Sequence, residues 1–121
     1  MAETINTKMS YMYRDACNYK SHAEVILNGR MSDAQAAEIL GTLDDGEYFI
    51  PEAVGLDAPR ESVYDFDVDH PYWELKPYDF KDTDKAPTTD ITPEELVKSF
   101  KEMSGKWTDY AVTYEDTYQR W

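Results

Sequence analysis

The sequence predicts a small α+β protein, and three observations carry that prediction. Apolar and polar residues alternate over Met9–Tyr13 and again over Glu61–Leu75, the period of a strand with one covered face. Two stretches begin with a capping box and continue with apolar residues at helical spacing, one after Ser32 and one after Thr92. The strong turn pair Asn28-Gly29 separates the first strand signals from the first helix signal. The expected architecture is a small antiparallel sheet with strands near 9–14, 19–27 and 66–75. A helix near 33–43 covers it, and a C-terminal helical hairpin follows at 93–104 and 107–120.

Residues 1–8 read as a loose leader. Met9-Ser10-Tyr11-Met12-Tyr13 opens the first strand, and Arg14, Asp15 and Asn18 supply turn chemistry. Tyr19–Leu27 ends in Val25-Ile26-Leu27 and reads as the second strand. The connection is short, so the two strands must pair antiparallel. Ser32 can cap a helix whose third residue, Gln35, completes the box. Ala36, Ile39, Leu40 and Leu43 then fall on one face, and Asp44-Asp45-Gly46 ends the helix.

Pro51 and Pro59 forbid a long central strand after Tyr48-Phe49-Ile50. That run reads as an ordered loop with one core anchor, Phe49 or Ile50, and Val54-Gly55-Leu56 as a helical turn. In the alternating stretch that follows, Val68, Tyr72 and Trp73 are the expected core anchors. Asp65, Asp67, Asp69 and Glu74 are expected to face out. Residues 76–91 are polar and rich in breakers, so they read as a linker or exposed loop between a 1–75 core and a 92–121 helical extension. Thr92-Pro93-Glu94-Glu95 combines a cap, a proline at the first helical position and a box. Leu96, Val97, Phe100 and Met103 form the apolar face, and Gly105 is a stop. Beyond it Trp107, Tyr110, Tyr114, Tyr118 and Trp121 recur at helical steps, although Tyr110, Val112 and Tyr114 also fit a strand. That aromatic stripe either packs on its own domain or forms a self-association face, as tyrosine and tryptophan are favoured at interface cores.

A chain of 121 residues suits one domain with a real core. Ten tyrosines and three tryptophans argue against a disordered acidic chain. One cysteine, Cys17, excludes an intrachain disulfide framework. With no signal-peptide core and no apolar run near the ~20 residues of a membrane span, a cytoplasmic, soluble protein is expected.

The net charge is −13, and its distribution is uneven. Residues 1–40 carry −1, residues 41–90 carry −10, and residues 91–121 carry −2. A field this negative repels nucleic acid and anionic lipid, so the expected partner is a basic protein surface. The candidate partner-binding carboxylates are Asp44, Asp45, Glu47, Asp57, Glu61, Asp65, Asp67, Asp69, Asp79, Asp82 and Asp84. The plainer reading of the same charge is solubility alone.

Catalytic and metal signals are weak. Asp65, Asp67 and Asp69 start like a calcium loop, but its glycine and bidentate glutamate positions hold His70 and Lys76. His22 and His70 lie too far apart in sequence for a local metal pair. Cys17 lies near Arg14 and Lys20, which can lower a thiol pKa, yet no local base accompanies it. No phosphate-cradling glycine loop or nucleophile elbow occurs. No cofactor and no enzymatic activity are expected.

Three segments carry a resemblance: Tyr13-Arg14-Asp15-Ala16-Cys17-Asn18-Tyr19-Lys20, Asp45-Gly46-Glu47-Tyr48-Phe49-Ile50-Pro51, and Asp69-His70-Pro71-Tyr72-Trp73-Glu74. Their order and spacing over residues 9–75 resemble a set of small acidic bacterial and mobile-element proteins without a secure activity. By analogy, small acidic proteins of phages inhibit host defence, and some imitate the charge of DNA. The resemblance supplies a fold-level expectation and little chemistry, and the analogy, joined to the charge, points to a non-enzymatic inhibitor of a CRISPR or restriction system. The alternatives are a sponge for a nucleotide signal, using Arg14, Arg60, Arg120 and tyrosines, or an adaptor that oligomerises through its tail. An enzyme working through paired carboxylates ranks below both, since no carboxylate is singled out.

Overall fold

A computed structural model describes residues 5–14, 17, 20–57 and 72–112. The elements are β1 (Asn6–Arg14), β2 (Lys20–Leu27), α1 (Asp33–Leu40), β3 (Tyr48–Phe49), β4 (Trp73–Glu74), β5 (Phe80–Thr83) and α2 (Pro93–Met103). Residues 107–112 are again helical. The fold is α+β with a small antiparallel sheet, as the alternation and capping boxes predict.

β1 is the hub of the sheet. On one side it pairs with β2 in a continuous register from Thr7↔Leu27 to Arg14↔Lys20. On its other side lie β4 at Met12↔Glu74 and β5 from Met9↔Phe80 to Asn6↔Thr83. β4 and β5 are thus two halves of one interrupted strand. The three steps from Met12 to Met9 on β1 face six from Glu74 to Phe80, and the 3-10 turn Pro77–Asp79 takes up the surplus. β3 pairs with β4 and completes the sheet.

The side chains of β1 alternate as the sequence predicts. Thr7, Met9, Tyr11 and Tyr13 are buried, whereas Lys8, Ser10 and Met12 are half-buried and Arg14 is exposed. Aromatic contacts then run from the sheet into the helices. Trp73 meets Tyr11 at 5.2 Å, Tyr11 meets Phe49 at 5.5 Å, Phe49 meets Phe100 at 5.4 Å and Phe100 meets Trp107 at 5.8 Å. These separations are in the range where aromatic pairs attract beyond area burial.

Both predicted capping boxes are present. The Ser32 hydroxyl accepts from the Gln35 amide at 3.1 Å while the Gln35 side chain accepts from the Ser32 amide at 2.9 Å. Thr92 and Glu95 make the equivalent pair at 3.2 and 3.1 Å, with Pro93 in the first turn. α2 buries Leu96, Val97 and Phe100, and α1 packs against it. At Gly29 φ is +125°, and a Cβ there would lie 3.3 Å from Pro93 Cδ. Any side chain would be strained by the backbone and crowded by α2.

Several expectations need correction. Residues 1–8 are not a loose leader from Asn6 on, since Asn6 and Thr7 are buried in β1. Their polar side chains are satisfied internally: Asn6 Nδ2 donates to the Lys85 carbonyl at 2.9 Å, and Thr7 Oγ1 accepts from the Met31 amide at 2.7 Å. Residues 76–91, although 84–88 are the exposed loop that the other reading allowed, are not a linker. They contain β5, and Thr88 and Ile91 bond the backbone of Ile26 and Asn28. Nor are residues 92–112 an extension, because Leu96, Phe100 and Trp107 belong to the same core as Met9 and Trp73. Phe49 and Ile50 are both buried rather than one of them, and Tyr48–Phe49 is a strand. The helix predicted to 43 ends at Leu40, with Gly41 as its C-cap. Of the strand predicted at 66–75, Trp73–Glu74 is observed, and residues 66–71, including Val68, lie outside the described residues. Residues 113–120 of the second tail helix lie outside them too.

Candidate functional site

The outer face of the sheet carries a charged network that begins at β1. Arg14 points outward at the strand end, and its Nε lies 3.4 Å from Glu74 Oε2. Lys76 follows β4 and reaches back, with Nζ 3.7 Å from Glu74 Oε1 and a hydrogen bond to Glu47 Oε1. Glu74, expected to face out, is only 12% exposed at its side chain because the two cations close over it. The Lys76 ammonium holds the Glu47 carboxyl below its ordinary value, and Glu47 in turn raises both Lys76 and Tyr48. The pairing thus favours an ionised Glu47.

A cleft of about 450 Å³ opens beside this network. It is lined by Ser10 and Met12 of β1, His22 and Glu24 of β2, and Glu74, Lys76, Tyr78 and Asp79 from the segment that follows β3. Tyr78 is 70% exposed and stands on the surplus turn between β4 and β5. The lining mixes carboxylates with one lysine and one histidine. Such a surface can meet polar or cationic groups. Among the described residues no group of three or more His, Cys, Asp or Glu could hold a metal ion.

The structure separates the predicted carboxylates by role. Asp45 and Gly46 both adopt positive φ, +53° and +69°, within a tight loop closed by two-way bonds between Asp44 and Tyr48. Asp45 is therefore a turn residue as well as an exposed charge. Asp79 Oδ2 accepts from the Lys76 amide at 2.7 Å and caps the Pro77–Asp79 turn. Asp82 pairs with Arg30 at 3.1 Å. Asp57 and Asp84 are exposed. Asp44 and Asp45 border a hollow beside Trp107, Asp57 borders one with Glu24 and Thr88, and Asp82 borders a third with Arg30. Asp44 with Asp45, Asp57, Asp79 and Asp82 thus border four different hollows. Glu61, Asp65, Asp67 and Asp69 lie outside the described residues.

Of the two readings of the tail, Trp107 follows packing on its own domain and not self-association: it is 2% exposed, and its Nε1 donates to the Thr42 carbonyl at 2.8 Å. Tyr110 is half-buried against the core. Burial raises the Tyr110 hydroxyl pKa, and the Glu52 charge adds to the shift. Tyr114, Tyr118 and Trp121 lie outside the described residues. The Arg14–Glu74–Lys76–Glu47 network was missed because its members come from three segments. Only the opposite signs of Glu74 and Lys76, two apart, hinted at it.

No family model, no curated protein and no solved structure matches this chain.

Proposed function

We infer that this protein is a non-enzymatic acidic binding protein whose partner is a basic surface of a nucleic-acid-binding protein. The observation that carries the reading is the charge: −13 overall, with −10 in residues 41–90. Asp45, Asp57, Asp82 and Asp84 from that segment are exposed around an aromatic-rich core. Carboxylates at several points around a compact body offer arginine and lysine the contacts that phosphates otherwise make. The sharper form of the reading is a phage or mobile-element inhibitor of a CRISPR or restriction system, acting in the cytoplasm by charge mimicry of DNA. It rests on analogy with other small acidic proteins. Among the described residues no helix is long and apolar enough to cross a membrane. Of the arginines the nucleotide-sponge alternative calls on, Arg14 is engaged by Glu74, and Arg60 and Arg120 lie outside the described residues.

The test is a pull-down of the tagged protein from a bacterial lysate, repeated with excess duplex DNA and with washes from about 50 to about 300 mM salt. Retention of a nucleic-acid-binding protein that DNA displaces and salt removes is the expected result. Neutralising Asp65, Asp67 and Asp69 together with Asp57 and Asp84 should weaken that retention. A partner held equally at high salt, or an ultraviolet-absorbing small molecule released on heat denaturation, would count against mimicry.

A further inference from the structure

Among the described residues β2 is the terminal strand of the sheet. At Ile26 the amide donates to Thr88 Oγ1 at 2.9 Å, and the carbonyl accepts from the Thr88 amide at 2.9 Å. Ile26 therefore directs both backbone groups away from β1. In an antiparallel strand this direction recurs at every second residue. Lys20, His22 and Glu24 thus also direct their N–H and C=O groups out of the sheet edge. All three side chains are exposed, and among the described residues β1 is the only strand partner of β2.

We propose that this edge pairs with the same edge of a second copy, antiparallel, about a twofold axis at His22. The charge pattern selects that register. It sets Lys20 of each copy opposite Glu24 of the other, twice, with the two His22 residues facing each other. All three positions are hydrogen-bonding ones, so the pairing supplies about six backbone bonds. A centre at Ala23 would oppose Lys20 to Ile26, whose outward groups Thr88 already holds. A centre at Ser21 would oppose Lys20 to His22 and leave Glu24 beyond the strand. Opposite charges directly across strands attract, and a twofold contact must be self-complementary. Lys20 and Glu24 also balance within β2, whereas the whole chain carries −13. The edge itself therefore adds no net repulsion to self-approach.

The contact is short, because Thr88 and Ile91 close the rest of β2. It is smaller than the roughly 1,600 Å² of a standard interface, so a weak dimer that forms with concentration and dissolves with salt is expected.

Sedimentation velocity of the full chain over a range of concentrations at low salt tests the proposal, with circular dichroism confirming that each variant is folded. Wild type should show a monomer–dimer equilibrium. Lys20→Glu and Glu24→Lys should each weaken it about tenfold, and the double variant should restore it. His22→Cys in a Cys17→Ser background should form a disulfide dimer on mild oxidation. Hydrogen-bonded antiparallel partners have Cα atoms about 5.5 Å apart, within disulfide reach. A monomer at every concentration would make the edge charges a guard against pairing and overturn the proposal. So would a dimer indifferent to Lys20→Glu, a double variant as weak as the singles, or absence of the His22→Cys crosslink.

Discussion

Trp107 and Thr42 are 65 residues apart and joined by a buried hydrogen bond, Nε1 to carbonyl oxygen, at 2.8 Å. Thr42 also bonds back through its hydroxyl to the Ile39 carbonyl at 2.7 Å, just past the end of α1. The contact ties the segment after α2 to the segment after α1, and it makes the first residue of the aromatic tail a structural one.

Trp107→Phe should keep most of the ring packing on Phe100 but leave the Thr42 carbonyl without this donor. The expected loss is about 1–3 kcal/mol, and Trp107→Ala should lose about 3–5 kcal/mol. Urea denaturation measures both. Losses near zero would mean that the tail contributes little to the fold.

Thr7→Val should destabilise by about 1–3 kcal/mol although it keeps shape and β-branching. The hydroxyl donates to the Gly29 carbonyl at 3.0 Å and accepts from the buried Met31 amide at 2.7 Å. Valine leaves that amide unsatisfied at the entry to α1. Thermal unfolding compared with Thr7→Ser, which keeps the hydroxyl, isolates the hydrogen bonds from the methyl group.

Stability should fall between about pH 10 and pH 12. Burial, helped by the Asp57 and Glu52 charges, pushes the Tyr11 hydroxyl from 10.0 up to about 12. The unfolded chain therefore releases this proton first, and each step up in pH through that window favours unfolding. Two units correspond to about 2–3 kcal/mol in total. Tyr11→Phe should flatten this part of the profile, leaving the smaller share of Tyr48, Lys76 and Tyr110, which are also raised. At neutral pH the same variant loses the bond from the Tyr11 hydroxyl to the Asp57 carbonyl, 2.5 Å long, at a cost of about 1 kcal/mol. An unchanged alkaline profile would remove Tyr11 as its source.

Lys76→Met should cost less than about 1 kcal/mol, because Glu47 and Lys76 remain 38% and 29% exposed and water screens the pair. Glu47 is held below its ordinary 4.5, so its contribution is present above that pH and disappears as pH falls through the folded value. The difference between wild type and Lys76→Met should therefore shrink in acid and in high salt. A large, salt-insensitive loss would mean that Glu74, deprived of Lys76, is the residue at stake.

The sequence by itself determined the parts whose physics is local. Ser32 with Gln35 and Thr92 with Glu95 satisfy helix amides within four residues, so both helix starts were legible. The alternation of β1 fixed its buried face, because a strand's period is independent of what covers it. Tertiary structure alone decided the rest. Phe80-Lys81-Asp82-Thr83 reads as a polar connector, yet it is a strand, because β1 offers a row of backbone groups that accepts any side chains facing water. Asn6 and Thr7 read as a polar leader, yet they are buried, because Lys85, Gly29 and Met31 satisfy them from distant segments. The acidic candidates differ in role for the same reason. Glu47 and Asp82 acquire partners only when the chain folds, and a charge read along a sequence carries no record of the cation that folding brings beside it.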